Sequence, residues 1–99
     1  MIANKELSLL QPYLKIHPDD NVLVALKDLS SGASIYFENG QLELLQDVSA
    51  KHKFFIADLN EGENVIMYGA LVGKAQCFIP KGTLMTTVNT KHAAGKKRR

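Results

Sequence analysis

The segment KIHPDDN, residues 15–21, brings one imidazole and two carboxylates close together along the chain. His17, Asp19 and Asp20 could hold a divalent metal or orient an acidic substrate. The same residue types also build turns, because proline fixes one backbone angle and Asp or Asn side chains bond to the backbone nearby. A catalytic metal needs about three ligands in a rigid arrangement, which this short run does not supply. We therefore interpret the segment as a turn and keep the metal-binding or acid-binding role as the alternative.

A second cluster, KHK, precedes the apolar run FFI. Lys51, His52 and Lys53 place cationic groups at the entrance of a predicted strand, where they could bind a carboxylate or a phosphate. Charged residues at such a place also serve as a solvated strand end that keeps other sheet edges from pairing with it. The residue types alone favour the strand end, with anion binding as the alternative.

Three other features carry weaker chemical signals. Tyr68, directly before Gly69, could present its hydroxyl to a ligand, although tyrosines at a sheet rim are commonly half-buried. Cys77 alternates with Ala75 and Ile79, which predicts an inert core side chain rather than a nucleophile. The C-terminal KKRR could contact nucleic-acid phosphates, but no aromatic residues interleave with it, and a disordered terminus is the better interpretation.

These side chains depend on an all-β scaffold, which the sequence from Tyr13 to about Thr90 predicts. Short apolar runs alternate there with Gly, Pro, Asn and Asp. Gly32, Gly62 and Gly82 align without gaps, each with an apolar residue three positions before it and another three positions after it. Each unit predicts a strand, a tight turn and a strand, since glycine enters positive φ without steric cost.

Between the first two units, Asn39–Gly40 predicts a two-residue hairpin turn. Its strands are expected near Ser34–Glu38 and Gln41–Leu45. Leu42 and Leu44 alternate with polar residues, so they are expected to face inward.

Two further strands follow the same logic. In the run after KHK, Phe54 and Ile56 are expected on one face and Phe55 on the other. Gly69 and Gly73 interrupt a later apolar run, and glycines inside strands mark bulges, bends or close backbone approach. Upstream, Asn4 could cap a short helix carrying Leu7 and Leu10, which Pro12 would end.

Length and composition bound the function classes. The chain has 99 residues and a mass of 10.9 kDa, so it holds one domain. The single Cys77 excludes an internal disulfide and a cysteine-based zinc site, and a reducing cytoplasm is the expected setting. The sequence contains no run of 18 consecutive apolar residues, so no membrane span is predicted. The net charge of +2 comes from the last nine residues, which carry five Lys or Arg and no acid.

Four motifs, in order along the chain, resemble one family. They are K-I-H-x-x-D-N-V, the D-L-x-x-G repeat, H-K before the second repeat, and V-I-x-Y-G-x-x-V-G-x-A. In this order they resemble the N-terminal domain of the altronate and galactarate dehydratases, over Tyr13 to about Asn89. The resemblance implies a small β-clip fold of the SAF type.

The resemblance also implies a function. Members of the family are hydro-lyases that eliminate water from a sugar acid to give a 2-keto-3-deoxy acid, using a divalent metal such as iron or manganese. Their larger C-terminal region is thought to hold that metal, and some relatives carry the two parts as separate subunits. This chain is therefore expected to cap, or assemble with, a larger catalytic region, with no cofactor of its own. The alternative is a stand-alone, non-catalytic β-clip module that binds a carbohydrate or a protein partner.

Site residues are carried over by motif. The matching positions are His17, Asp20, Asn21, His52, Lys53, Tyr68 and Gly69. Among them, His17, His52, Lys53 and Tyr68 are candidates for substrate binding, whereas no catalytic residue or metal ligand is assigned. Relatives often place histidines ahead of the asparagine matching Asn89, but Val88 stands there in this chain.

The expected organisation is an extension over residues 1–12, the β domain over residues 13–90 and a basic tail over residues 91–99. The expected partners are the sugar acid and the catalytic region, without nucleic acid or membrane.

Overall fold

The architecture is built entirely from strands and turns. The computed structural model describes residues 11–38 and 40–92, and every regular element in these ranges is a β-strand. The eight strands are β1 (Tyr13–Leu14), β2 (Val22–Ala25), β3 (Ser34–Phe37), β4 (Gly40–Glu43), β5 (Lys53–Phe55), β6 (Asn64–Met67), β7 (Ala70–Ala75) and β8 (Thr90–His92). The all-β prediction is confirmed. The helix predicted from Asn4 and the KKRR tail lie outside the described residues.

The strands form three antiparallel sheets. One has the order β1-β2-β5, the second is the β3-β4 hairpin, and the third has the order β6-β7-β8. Strand β8 runs to His92, two residues past the predicted domain boundary at residue 90. Lys91 pairs with Lys74 and His92 with Gly73, so both residues belong to the third sheet.

The predicted glycine turns are present, and the structure adds a fourth. Gly32, Gly62 and Gly82 have φ of +89°, +89° and +92°. The segment DVSAK, residues 47–51, forms the same turn, with Lys51 at φ +76° in the position of the glycine. Each turn is closed by the same backbone hydrogen bond, for example from the Ala33 N–H to the carbonyl of the residue three positions earlier, at 3.0 Å.

The four turns give the domain two similar halves. In the first half Leu29 pairs with Val48, and in the second half Leu59 pairs with Ile79. Each half also contains one antiparallel hairpin, β3–β4 or β6–β7. The register of β6–β7 shifts after Val65, which leaves an extra residue in β7 as a bulge.

The first hairpin turn lies one residue earlier than predicted. Phe37 pairs with Gly40, so Gly40 begins β4 instead of occupying the turn, and Glu38 takes a positive φ of +48°. The strand pattern is unaffected, because Leu42 and Leu44 are both buried as expected.

Two hydrophobic clusters hold the halves together. The larger contains Leu23, Ile35, Leu44 and Phe54 among its buried residues, and the smaller contains Phe55 with the apolar residues of the second half. Phe54 and Phe55 are both fully buried, and Ile56 packs on the same cluster as Phe54, as predicted. Strand β5 therefore supplies one face to each core.

The predicted placement of Cys77 is wrong. Ala75 and Ile79 are buried, but Cys77 is exposed, because β7 ends at Ala75 and the chain bends at residues 76–77. The prediction for Gly73 is confirmed as a close backbone approach. A Cβ atom at Gly73 would overlap the carbonyl oxygen of Lys91 in β8.

Candidate functional site

An open groove of about 550 Å³ lies beside β5. Its lining combines basic, hydroxyl and apolar side chains: Lys51, His52, Lys53, Met67, Leu84, Met85, Thr86, Thr87, Thr90 and His92. Two of the residues carried over by motif, His52 and Lys53, therefore lie in one site.

Strand β5 and the segment after the Gly82 turn form adjacent walls of this groove. Phe54 pairs with Leu84 as an isolated bridge, and the Met85 N–H donates to the Lys53 carbonyl at 2.9 Å. Lys53 in turn pairs with Val24 of β2, which fixes β5 from its other edge. The KHK cluster is thus placed by the sheet and faces the threonine-rich segment.

Asn89 holds that segment in shape. Its side-chain N–H donates to the Leu84 carbonyl at 2.8 Å, and its side-chain oxygen accepts from the Thr86 N–H at 3.0 Å and the Thr90 hydroxyl at 2.9 Å. These bonds close a compact loop over residues 84–90, whose three threonines all line the groove. Asn89 therefore shapes the wall of the groove.

The groove is basic. Lys51, His52, Lys53 and His92 line it, and no Asp or Glu within residues 11–38 and 40–92 does. Among the described residues, the only lysine in an ion pair is Lys15, whose ammonium lies 2.9 Å from the Glu38 carboxylate. Cationic donors next to hydroxyls can form charge-assisted hydrogen bonds to a carboxylate and ordinary ones to alcohol groups.

His17 lies elsewhere, against the turn of the β6–β7 hairpin. A Cβ atom at Gly69 would come within 2.7 Å of the His17 ring carbon Cδ2, so the imidazole packs on the bare glycine. The His17 side chain is 45% exposed. Tyr68 belongs to the same turn, with φ +58° and 49% exposure. The four candidates therefore form two pairs, His52 with Lys53 in the groove and His17 with Tyr68 at this turn.

Asp20 joins the KIHPDDN segment to the β6–β7 turn. It is 3% exposed, and its carboxylate accepts from the Gly69 N–H at 2.8 Å and the His17 N–H at 3.1 Å. The Asp20 N–H donates to the His17 carbonyl at 3.0 Å, which confirms the turn predicted here. Asp20 is therefore a structural residue.

Asn21 performs a similar task on β6. Its side chain accepts from the Ile66 N–H at 2.9 Å and donates to the Asn64 carbonyl at 2.9 Å. The side chain thus extends the backbone pairing of β6. This contact joins the K-I-H-x-x-D-N-V segment to the start of the V-I-x-Y-G segment.

Several groove residues escaped the sequence analysis. Thr86, Thr87 and Thr90 carry no motif of their own, and His92 was assigned to the basic tail. Lys51 is one of the cationic residues that the sequence offers for anion binding, but its position in a fourth turn of the glycine type is not predicted. Val48 lies three positions before Lys51, just as an apolar residue lies three positions before each turn glycine. This spacing is the sequence signal from which the fourth turn could have been predicted.

The described residues form neither a metal-binding cluster nor a membrane-spanning helix. In residues 11–38 and 40–92, no three His, Cys, Asp or Glu side chains come together so as to hold a metal ion. The same part of the chain contains no helix long and apolar enough to cross a bilayer.

Sequence comparison supplies the family. Residues 11–93 match the family model described as the altronate/galactarate dehydratase SAF domain. The chain belongs to this family. Residue by residue, it is 43% identical to the altronate dehydratase of Escherichia coli (strain K12) over 79 residues and 30% identical to that of Bacillus subtilis (strain 168) over 82 residues. It is also 34% identical to the galactarate dehydratase (L-threo-forming) of Escherichia coli over 71 residues.

The matches cover most of this SAF domain but a small part of the relatives. They span 80%, 83% and 72% of the chain, and 16%, 16% and 13% of the respective dehydratases. The chain thus spans about a sixth of the length of the curated relatives that it matches.

Proposed function

We propose that this SAF domain is the accessory part of a sugar-acid dehydratase and that its groove binds a carboxylate of the substrate. The observation that carries the proposal is a groove that the described residues line with two lysines, two histidines and threonine hydroxyls, and with no carboxylate. Altronate and galactarate, named in the relatives, are polyhydroxy acids that are anionic at neutral pH. Such a ligand needs cationic donors for the acid group and hydroxyl partners for the alcohols.

The chemistry of dehydration argues for a larger catalytic region beside this domain. Removing a proton next to a carboxylate needs a positioned base, and the departing hydroxyl needs a proton donor. The charge that develops on the substrate is commonly stabilised by a metal ion. The described residues do not fit a metal, so a divalent ion such as iron or manganese would be held by the catalytic region. That region is proposed to lie in the same polypeptide or in a separate subunit.

The contribution of this domain would be orientation. Lys53 stands on strand β5, which is fixed at both edges, and His52 directly precedes it with its carbonyl bonded to the Ala25 N–H of β2 at 2.8 Å, so both side chains start from a fixed backbone. Groups that hold a substrate remote from the reacting atoms raise turnover as well as affinity when they favour the reactive geometry. His17 and Tyr68, at the β6–β7 turn, remain candidates for further contacts with the substrate.

The experiment is a titration of the 15N-labelled 99-residue chain followed by amide chemical shifts. Galactarate is the ligand, and galactitol is the matched control, because it has the same carbon skeleton and the same four internal hydroxyls, with a neutral CH2OH group in place of each carboxylate. We expect galactarate to shift the amides of residues 51–53 and 84–92, with an effect that weakens as salt is added. Galactitol should leave them in place.

Two results would contradict the proposal. If galactarate shifts only amides in other parts of the domain, it does not bind in the groove. Equal shifts with galactitol would show that charge is not recognised, and would favour the alternative of a stand-alone carbohydrate-binding module.

A further inference from the structure

Lys51 occupies a backbone conformation that its side chain disfavours. Its φ is +76°, whereas the equivalent positions of the other three turns are Gly32, Gly62 and Gly82, at +89° to +92°. A left-handed residue with a Cβ atom crowds its own carbonyl oxygen, and glycine does not. Strained residues of this kind concentrate at functional sites.

The fold itself does not require a lysine there. The Lys51 N–H donates to the Ala25 carbonyl at 2.7 Å, and the Gly32 N–H makes the equivalent bond to the Leu44 carbonyl at 2.8 Å. Both turns are closed by the same 3.0 Å backbone bond. A glycine at position 51 would therefore keep every backbone hydrogen bond of the turn and remove the strain.

The Lys51 side chain lines the groove, next to His52 and Lys53. Among the described residues, no Asp or Glu lies within ion-pair distance of its ammonium. A lysine that costs stability, makes no described ion pair and lines a basic groove has the properties expected of an anion-binding group.

We propose that Lys51 is a carboxylate-binding residue of the groove, retained in a glycine position because its ammonium binds the acid group of a polyhydroxy acid. This inference rests on the function proposed above and names one residue that would perform it. It also predicts a trade-off, since the same side chain lowers stability and raises ligand affinity.

The test uses Lys51→Gly, Lys51→Arg and Gly62→Lys in the 99-residue chain, with the melting temperature and the galactarate affinity measured for each. Lys51→Gly should raise the Tm by roughly 4–8 °C, because the relief of left-handed strain exceeds the cost of the more flexible unfolded glycine chain in a small domain. It should also weaken galactarate binding by about 5-fold or more, because one charge-assisted bond is lost. Lys51→Arg keeps both the charge and the strain, so it should change neither value much.

Gly62→Lys is the matched control. A Cβ atom at Gly62 has no neighbour within 4 Å, and Gly62 does not line the groove. This variant adds a lysine and the same strain at another turn, so it should lower the Tm and leave galactarate affinity unchanged.

The outcomes separate this inference from the function on which it rests. If galactarate binds the groove and Lys51→Gly binds it equally well, the role of Lys51 is refuted while the proposed function stands. If galactarate does not shift the groove of the unmodified chain, both are refuted. If Lys51→Gly lowers the Tm, the strain argument is wrong.

Discussion

Alanine at Gly82 should destabilise the domain far more than alanine at Gly62. Both residues occupy the same position of equivalent turns, at φ +92° and +89°, so a Cβ atom brings similar backbone strain at each. They differ in the space behind them. A Cβ at Gly62 meets nothing within 4 Å, whereas one at Gly82 would overlap the carbonyl oxygen of Glu43.

The magnitudes follow from this difference. At Gly62 the left-handed strain, partly offset by the lower entropy of the unfolded alanine chain, gives a net cost of about 1 kcal/mol. At Gly82 the backbone must also move away from Glu43. That movement is opposed by hydrogen bonds from the Gly82 N–H to the Phe55 carbonyl at 2.8 Å and from the Leu45 N–H to the Gly82 carbonyl at 2.9 Å. Overpacking of this kind adds about 1–3 kcal/mol.

The assay is thermal and urea unfolding of the 99-residue chain. Each kcal/mol lowers the Tm of a domain of this size by roughly 4–8 °C, so the two variants are easily separated. Gly62→Val adds a branched Cβ at positive φ, so its Tm should be lower than that of Gly62→Ala. Equal melting temperatures for Gly82→Ala and Gly62→Ala would refute the argument from close approach.

Three further predictions concern structure and activity. Asp20→Ala should cost about 2–3 kcal/mol in urea unfolding, because it leaves the His17 and Gly69 N–H groups without their acceptor; an unchanged midpoint would show that water replaces the carboxylate. The 99-residue chain alone should not dehydrate altronate or galactarate above a metal-only control, since the described residues supply no metal site; measurable turnover would contradict the assignment of catalysis to another region. Deleting residues 95–99 should leave the Tm unchanged, because the buried residues of both hydrophobic clusters lie between Tyr13 and Ile79; a lower Tm would show that the tail stabilises the fold.

The turns were the part of the fold most accessible from sequence, because a tight turn at positive φ restricts residue choice severely. Three of the four turns carry glycine and were found on that basis. The fourth was missed because Lys51 occupies the position that glycine takes in the other three. A pattern built on glycines cannot find a turn with another residue in that position. The exception marks the residue for which we propose a binding role.

Long-range contacts explain the errors. Asn39–Gly40 has the strongest local preference for a hairpin turn, yet the Gly32 N–H bonds to the Leu44 carbonyl and the Leu44 N–H to the Ala33 carbonyl, at 2.8 and 2.9 Å. These bonds fix the register from the far end of the hairpin and move the turn back by one residue. The burial of Cys77 was predicted wrongly for a different reason. Alternation along a strand predicts burial only while the strand continues, and β7 ends at Ala75.

The candidate site was predictable only in part. His52 and Lys53 were identified by their charge and spacing, but the groove also needs residues 84–90 and β8, which are remote in sequence. The Phe54–Leu84 bridge and the close approach of β8 to Gly73 bring them together. No local pattern encodes such contacts.

The most direct test of the central claim is the kinetics of the complete dehydratase carrying His52→Asn, with its catalytic region in the same chain or in a partner subunit. His17→Asn is the comparison variant, because His17 packs on Gly69 outside the groove lining. We predict that His52→Asn lowers kcat/KM by ~10-fold or more at unchanged Tm, which corresponds to about 1.4 kcal/mol of transition-state stabilisation. The loss should exceed that of His17→Asn. Wild-type kinetics in His52→Asn would contradict a role for the groove in binding the sugar acid.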